Sequence, residues 1–309
     1  MISLAANDSS ALRSLLRKIN PPLDYVKVAL EREMDTQLIS ARSLRPVLLH
    51  GCGDHWRVGM SDLPNFDRLK SWISTSNTPY LSVHLDLQPE DMPNLTPGAA
   101  LERIATNIEI LHQETGLEVA LENVAHYAWS ERPSFISDPA WITAAIEMTE
   151  APFLLDIAHA RVSAAHRGEN AEKYMDSLPL ESVLEIHTSA PRMETEGLRD
   201  RHLSMQQCEF DWLEWVLARA TKTKTITLEY AGIPDIGHTR DGREIRIPRN
   251  DAGLLLENLA KLDLLRKRLA GKLREAPRLP QGWHLDQRRT PKREEELSLS
   301  SIRAMGYES

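Results

Sequence analysis

A chain of 309 residues, 41% hydrophobic and 27% charged, is long enough for one (β/α)8-type barrel with a tail and buries a real core. A net charge of −8 speaks against a general nucleic-acid binder, which presents a basic face, although metal ions held in a cleft would offset part of it. Cys52 and Cys208 make neither a disulfide framework nor a Cys-rich zinc site, and no uninterrupted apolar run of about 18 residues is present. The N-terminal MISLAANDSSALRSLL lacks the regions of a signal peptide. A cytoplasmic protein with no membrane or nucleic-acid partner is expected.

Short apolar runs then alternate with helical patterns. The expected strands are Tyr25–Val28, Pro46–His50, Tyr80–His84, Val119–Asn123, Phe153–Asp156, Val183–His187 and Thr225–Tyr230. Most are continuous rather than alternating in hydrophobicity, as strands covered on both faces are. Between them, Phe66, Leu69 and Ile73 mark one helix, and Leu101, Ile104, Ile108 and Leu111 a second, opened by Thr96-Pro97 as N-cap and first-turn proline. Phe210, Leu213 and Leu217 mark a third, and a leucine-rich helix runs from about Asp251 to Ala270. This order predicts an α/β fold, a TIM-type (β/α)8 barrel. Seven strands are visible, so the eighth is short or the barrel is distorted. A barrel over 1–272 is followed from Leu273 by a charged, proline-containing tail over 273–309, available to wrap the barrel or dock a partner through Trp283.

The ends of these strands carry the chemistry. His50 ends VLLH, His84 ends LSVH, Glu122 closes VALE, Asp156 ends FLLD with His159 three residues on, His187 closes LEIH after Glu185, and Glu229 ends ITLE. Asp200 and His202 follow in what reads as a loop. A single histidine at a strand end is ordinarily a hydrogen-bonded core residue. Six successive strand ends each delivering His, Asp or Glu into one bowl are different, because so many buried ionisable groups need a counter-charge. Divalent cations supply it. The expected ligands are therefore His50, His84, Glu122, Asp156, His159, His187, Asp200, His202 and Glu229, too many for one ion. Imidazole with carboxylate suits iron, zinc or manganese, and the lack of thiolates disfavours copper(I) and iron–sulfur clusters. Cys52, two residues past His50, reads as a small loop residue. Asn123 is expected to orient Glu122 or a neighbouring ligand. Arg57, His126, Arg161, Arg192, His238 and Arg240 follow the strands, and Arg192 and Arg240 are the candidates for holding an anionic substrate group.

The ordered set His, His, Glu, Asp-x-x-His, His, Asp-x-His, Glu resembles the metal-binding barrels that include xylose isomerases and endonuclease IV. The strings VLLHGCG (47–53), LSVHL (81–85), LENV (121–124), LLDIAHARVSA (154–164) and the stretch from RDRHLS to ITLEY (199–230) are most similar to the multinuclear non-heme iron-dependent oxidative enzymes, the family of the methanobactin-biosynthesis oxidase. The resemblance covers roughly residues 24–260. It implies a barrel with two or three irons that uses dioxygen to modify a residue of a ribosomal peptide, or a small amino-acid-like or thiol substrate, with a partner protein delivering the peptide. That family commonly has asparagine where this chain has Asp156; aspartate there resembles endonuclease IV-like zinc sites. The alternative implied is a zinc or manganese hydrolase or isomerase.

Overall fold

The structure, a computed structural model, describes residues 2–30, 34–52, 57–91, 96–231 and 251–271, and the backbone of 235–238 and 244–247. Eight parallel strands close into a barrel in the order β1-β10-β7-β6-β5-β4-β3-β2. They are β1 (Ser3–Asn7), β2 (Tyr25–Ala29), β3 (Val47–His50), β4 (Leu81–His84), β5 (Val119–Glu122), β6 (Phe153–Asp156), β7 (Val183–Thr188) and β10 (Thr225–Leu228). The strand missing from the sequence reading is β1, which pairs with both β2 and β10 and so closes the barrel. Its sequence SLAAN is built of small residues and carries none of the β-branched or aromatic enrichment that marks a strand.

Two antiparallel hairpins are added at connections: β8 (Ala190–Glu194) with β9 (Gly197–Leu203), and β11 (Asp235–His238) with β12 (Glu244–Ile247). The helices are α1 (Ser10–Lys18), α2 (Asp35–Arg42), α3 (Phe66–Ser76), α4 (Pro97–Thr115), α5 (Pro139–Thr149), α6 (Ile157–Arg167), α7 (Ala171–Asp176), α8 (Gln207–Leu217) and α9 (Ala252–Ala270). Their starts are encoded locally. Thr96 accepts from the Ala99 amide ahead of Pro97, Asp138 accepts from Ala140 ahead of Pro139, and Asp251 accepts from Gly253 and Leu254. The tail over 273–309, with Trp283, lies outside the described residues, as does Arg240.

Alternation along each strand sorts the side chains. Outward residues such as Val26, Val28, Leu49, Val83, Leu121, Phe153, Leu155 and Ile226 join the large apolar shell beneath the helices. Inward residues fill the barrel in layers. The floor is a small apolar cluster of Ala5, Leu48, Tyr80, Ala120, Leu154 and Leu184, and above it the inward positions turn polar. One irregularity matters. Phe153 faces Val183 and Leu154 faces Glu185, so Leu184 is an extra residue, a β-bulge on β7. Leu184 thus completes the floor while Glu185 and His187, two residues apart, both enter the barrel above it.

Candidate metal centre

Six strand ends of the barrel bring His50 (β3), His84 (β4), Glu122 (β5), Asp156 (β6), His187 (β7) and Glu229, one residue past β10, to one end. His159 joins from the first turn of α6, whose N-cap is Asp156 itself. Asp200 and His202 do not lie in a loop as expected: both are on β9, whose antiparallel pairing with β8 folds them over the mouth. A hairpin was invisible in that stretch because its charged run RDRH masks strand alternation. His202 adopts a left-handed backbone, φ 47°, which is uncommon for a residue with a side chain and occurs where surroundings enforce it.

All nine expected ligands fall into three groups with mutually close ligand atoms: His50, His84 and Glu122; His159, Asp200 and His202; and Glu122, Asp156, His187 and Glu229. Glu122 belongs to two of them. His50 Nε2 stands 3.4 Å from both His84 Nε2 and Glu122 Oε2. His202 Nε2 is 2.6 Å from Asp200 Oδ2, with His159 Nε2 3.4 Å from the same oxygen. His187 Nδ1 lies 3.2 Å from Glu229 Oε1 and 3.5 Å from Glu122 Oε1.

Neighbouring groups aim these rings. A carbonyl can only accept, so His159 Nδ1 carries its proton toward the Asn123 carbonyl at 2.9 Å, leaving Nε2 toward Asp200. Asn123 does more than the sequence suggested. Its side chain also pairs with both the amide and carbonyl of Asp156, at 2.8 and 3.0 Å, locking β5 to β6 where the expected ligands emerge. His50 Nδ1 meets Ser82 Oγ at 2.8 Å, and Asn7 donates to Glu229 at 3.1 Å. Asn7 was missed with its strand. Gly51, at φ 86°, turns the chain immediately after His50 and donates to the Ser82 carbonyl.

The electrostatics record unmet demand. Burial pushes the Asp156 carboxyl up, and nearby Glu229, Asp200 and Glu122 add to that against His159, to about 7. Burial opposes charge on His202, but Asp200 and Glu229 outweigh it and raise the imidazole to about 9. His159 and His187 are likewise raised despite burial, by Asp156 and Glu229 respectively among other carboxylates. Burial instead drives His50 down to about 3. Without ions, then, protons gather on three histidines to neutralise the carboxylates. Glu122 Oε2, Asp156 Oδ2 and His187 Nδ1 remain buried with no hydrogen-bond partner. Orphaned buried atoms of a carboxylate and imidazole donor set fit metal ions well, since cations would satisfy them and release the protons.

The remaining polar residues have other partners. Arg57 pairs with Asp91 at 2.6 Å, Arg161 with Glu209 at 2.8 Å, and Arg192, exposed on β8, with Glu194 at 3.2 Å. His126 donates its amide to Ser163, and its ring is lowered by burial. Burial pushes the Cys52 thiol up to about 12, and its sulfur rests 4.0 Å from that of Met60, as a packing residue's would.

Fold and site together define a metal-binding α/β barrel. In fold the chain is similar to solved α/β barrels: 3-keto-D-glucoside 4-epimerase from E. coli superposes at TM-score 0.53 with 14% identity, covering 86% of this chain and 100% of that one. Endonuclease IV from Thermus thermophilus does so at 0.50 with 15% identity, covering 87% and 100%. The chain belongs to the family of the RiPP precursor modification enzyme MbnB/TglH/ChrH, whose sequence profile matches residues 9–241. A UPF0276 protein of Paraburkholderia phytofirmans is 29% identical over 158 residues, 48% of this chain and 51% of that protein. The chain spans about half the length of this relative and of its Bordetella counterparts. Among the described residues no helix is long and apolar enough to cross a membrane.

Proposed function

We propose that this chain is a multinuclear non-heme iron oxidase that uses dioxygen to modify a residue of a ribosomally made peptide, or a small amino-acid-like thiol. The nine ligands would be His50, His84 and Glu122 at one ion, His159, Asp200 and His202 at a second, and Asp156, His187 and Glu229 with shared Glu122 at a third. The observation that carries this reading is the convergence of these three groups around Glu122, with its orphaned atoms. Membership of a family that modifies peptide precursors supports a peptide substrate, delivered by a partner protein as a further element of the proposal.

Bound iron would supply redox equivalents and open coordination positions for dioxygen and for a substrate thiolate or carboxylate. The chain's own residues do the rest. Asn123 and Ser82 hold His159 and His50 with their ligating nitrogens inward. Asp200 and His202 bring the β8–β9 hairpin against His159 and Glu229 at the mouth, and a cytoplasmic, reducing setting would keep ferrous iron and thiol substrates available. Arg192 and Arg240 stand as candidates for an anionic substrate group once a peptide displaces the Arg192–Glu194 pair.

Anaerobic purification followed by metal analysis, an iron spectrum and oxygen uptake tests the proposal. Two or more irons per chain, with oxygen consumed on adding a peptide or thiol, is the expected result. Tightly bound zinc or manganese without oxygen consumption would overturn it in favour of a hydrolase or isomerase. The aspartate at 156, a hard oxygen donor, is the feature that would accommodate such ions.

A further inference from the structure

Beneath the nine ligands lies a buried polar group that the proposed function does not use. Glu185 sits fully buried on β7, carried inward by the bulge at Leu184. Its Oε2 accepts from Lys27 Nζ at 2.7 Å and from the Tyr80 hydroxyl at 2.9 Å. Its Oε1 accepts from Thr227 Oγ1 at 2.5 Å and meets His187 Nε2 at 3.2 Å. Four donors from four strands or strand edges occupy the carboxylate, so Glu185 has no lone pair aimed at the ligand cluster above. A carboxylate so surrounded can only accept, so His187 Nε2 carries a proton whether the ring is charged or, once Nδ1 ligates, neutral. The other ring nitrogen, Nδ1, is the one that faces Glu229 and Glu122 and lacks a hydrogen-bond partner.

We propose, on the basis of the metal-centre reading above, that Glu185 is a positioning residue that fixes His187 to ligate through Nδ1. Lys27, Tyr80 and Thr227 form the base that holds Glu185 in place. A buried Lys–Glu pair costs about as much in desolvation as it returns in attraction, so stability alone gives it little reason to exist at a barrel's centre. A ligand histidine does need its second nitrogen anchored: losing such a contact weakens metal binding about 10- to 100-fold. Without the anchor, the His187 ring is free to turn about its Cβ–Cγ bond and point carbon rather than Nδ1 at the cluster.

Removing one charge alone risks unfolding, so two charge-neutral pairs are compared in the full chain. In Lys27→Met with Glu185→Gln, the amide oxygen still accepts from His187 and Thr227 while the amide NH2 donates to Tyr80. In Lys27→Met with Glu185→Leu, both charges go and the acceptor goes too. Zinc is the probe, titrated into metal-free protein, with zinc capacity, affinity and the 15N signature of the His187 ring as readouts. The wild type and the Gln pair are expected to bind zinc alike and to keep His187 protonated at Nε2 when loaded. The Leu pair should fold, lose that signature, and bind its last zinc about 10- to 100-fold more weakly. Unchanged signature and affinity in the Leu pair would overturn the proposal alone. Failure of the wild type to take up zinc or iron would overturn the metal reading and this one with it. Should both pairs fail to fold, the zinc-loaded wild type still decides: a proton on Nδ1 of His187 refutes the assignment.

Discussion

The two faces of the same eight strands make opposite demands on the chain. On β5, Val119 and Leu121 point outward into the shell under the helices, while Ala120 and Glu122 point inward, one to the floor and one to the ligand layer. The outer face is apolar around the barrel, and burying it drives folding. The inner face above the floor carries Lys27, His50, Glu122, Asp156, Glu185 and His187, all buried and all costly to desolvate. What the difference teaches is a division of labour: the outer shell stabilises the barrel and tolerates an inner layer built for binding. Changes to the two faces should therefore separate cleanly.

The largest expected effect is on the outer face. Phe153, fully buried between β6 and the helices, leaves a cavity on Phe153→Ala, and about 3–5 kcal/mol of stability should be lost. Chemical denaturation measures it, and a loss below about 1 kcal/mol would show the shell is not what holds the barrel. Glu122→Ala comes next and acts the other way. Because Glu122 serves two of the three groups, metal content should fall by about two ions while circular dichroism stays barrel-like. Retained metal would break the shared-carboxylate reading. His159→Ala and His187→Ala should each cost about one ion with the fold intact, since neither belongs to the apolar shell; full metal content and activity in either would overturn that residue's assignment.

Within the inner face a smaller contrast appears with pH. In the metal-free chain His202 is raised to about 9 from an ordinary 6.5, burial being outweighed by Asp200 and Glu229. A raised imidazole contributes stability that is fully present below about 6.5 and is lost as pH rises toward 9. A metal must displace that proton, so zinc affinity at His159, Asp200 and His202 should climb steeply across the same window. His50, driven down to about 3 by burial, is already neutral there, and Glu122, held at about 2 because its histidines outweigh burial, is already ionised. Their group should show little pH dependence. Equal slopes in competition titrations would remove the distinction.

How much of this was legible in the sequence follows the same two faces. Seven strands were readable because most are short, largely apolar runs, and at six of them the ligand types were visible at or near the end. The eighth, SLAAN, was not, since its two alanines, serine and asparagine carry no β-branched or aromatic signal even though β1 pairs on both sides, with β2 and β10. Asn7 was lost with it. Asp200 and His202 were recognised as ligand types but not as parts of a hairpin, whose pairing depends on β8 across the turn at Gly197. Glu185 was seen yet left without a role. The i, i+2 spacing to His187 placed both on one face, but the partners Lys27 and Tyr80 are distant in sequence, so nothing local revealed the contact.

The smallest expected effect is the sharpest control on the comparison. Thr96 is exposed at the N-cap of α4, and its hydroxyl accepts from the Ala99 amide at 3.2 Å. Thr96→Ala leaves that amide to water and should cost about 1 kcal/mol, or a fall in Tm of about 2–4 °C for a protein of this size. Because Thr96 is among neither the nine proposed ligands nor the groups that orient them, zinc affinity and capacity should stay at wild-type values despite the lower Tm. If metal binding weakened in proportion to this loss of stability, the two faces would be thermodynamically coupled, and metal loss in the ligand variants could no longer be read as loss of a ligand.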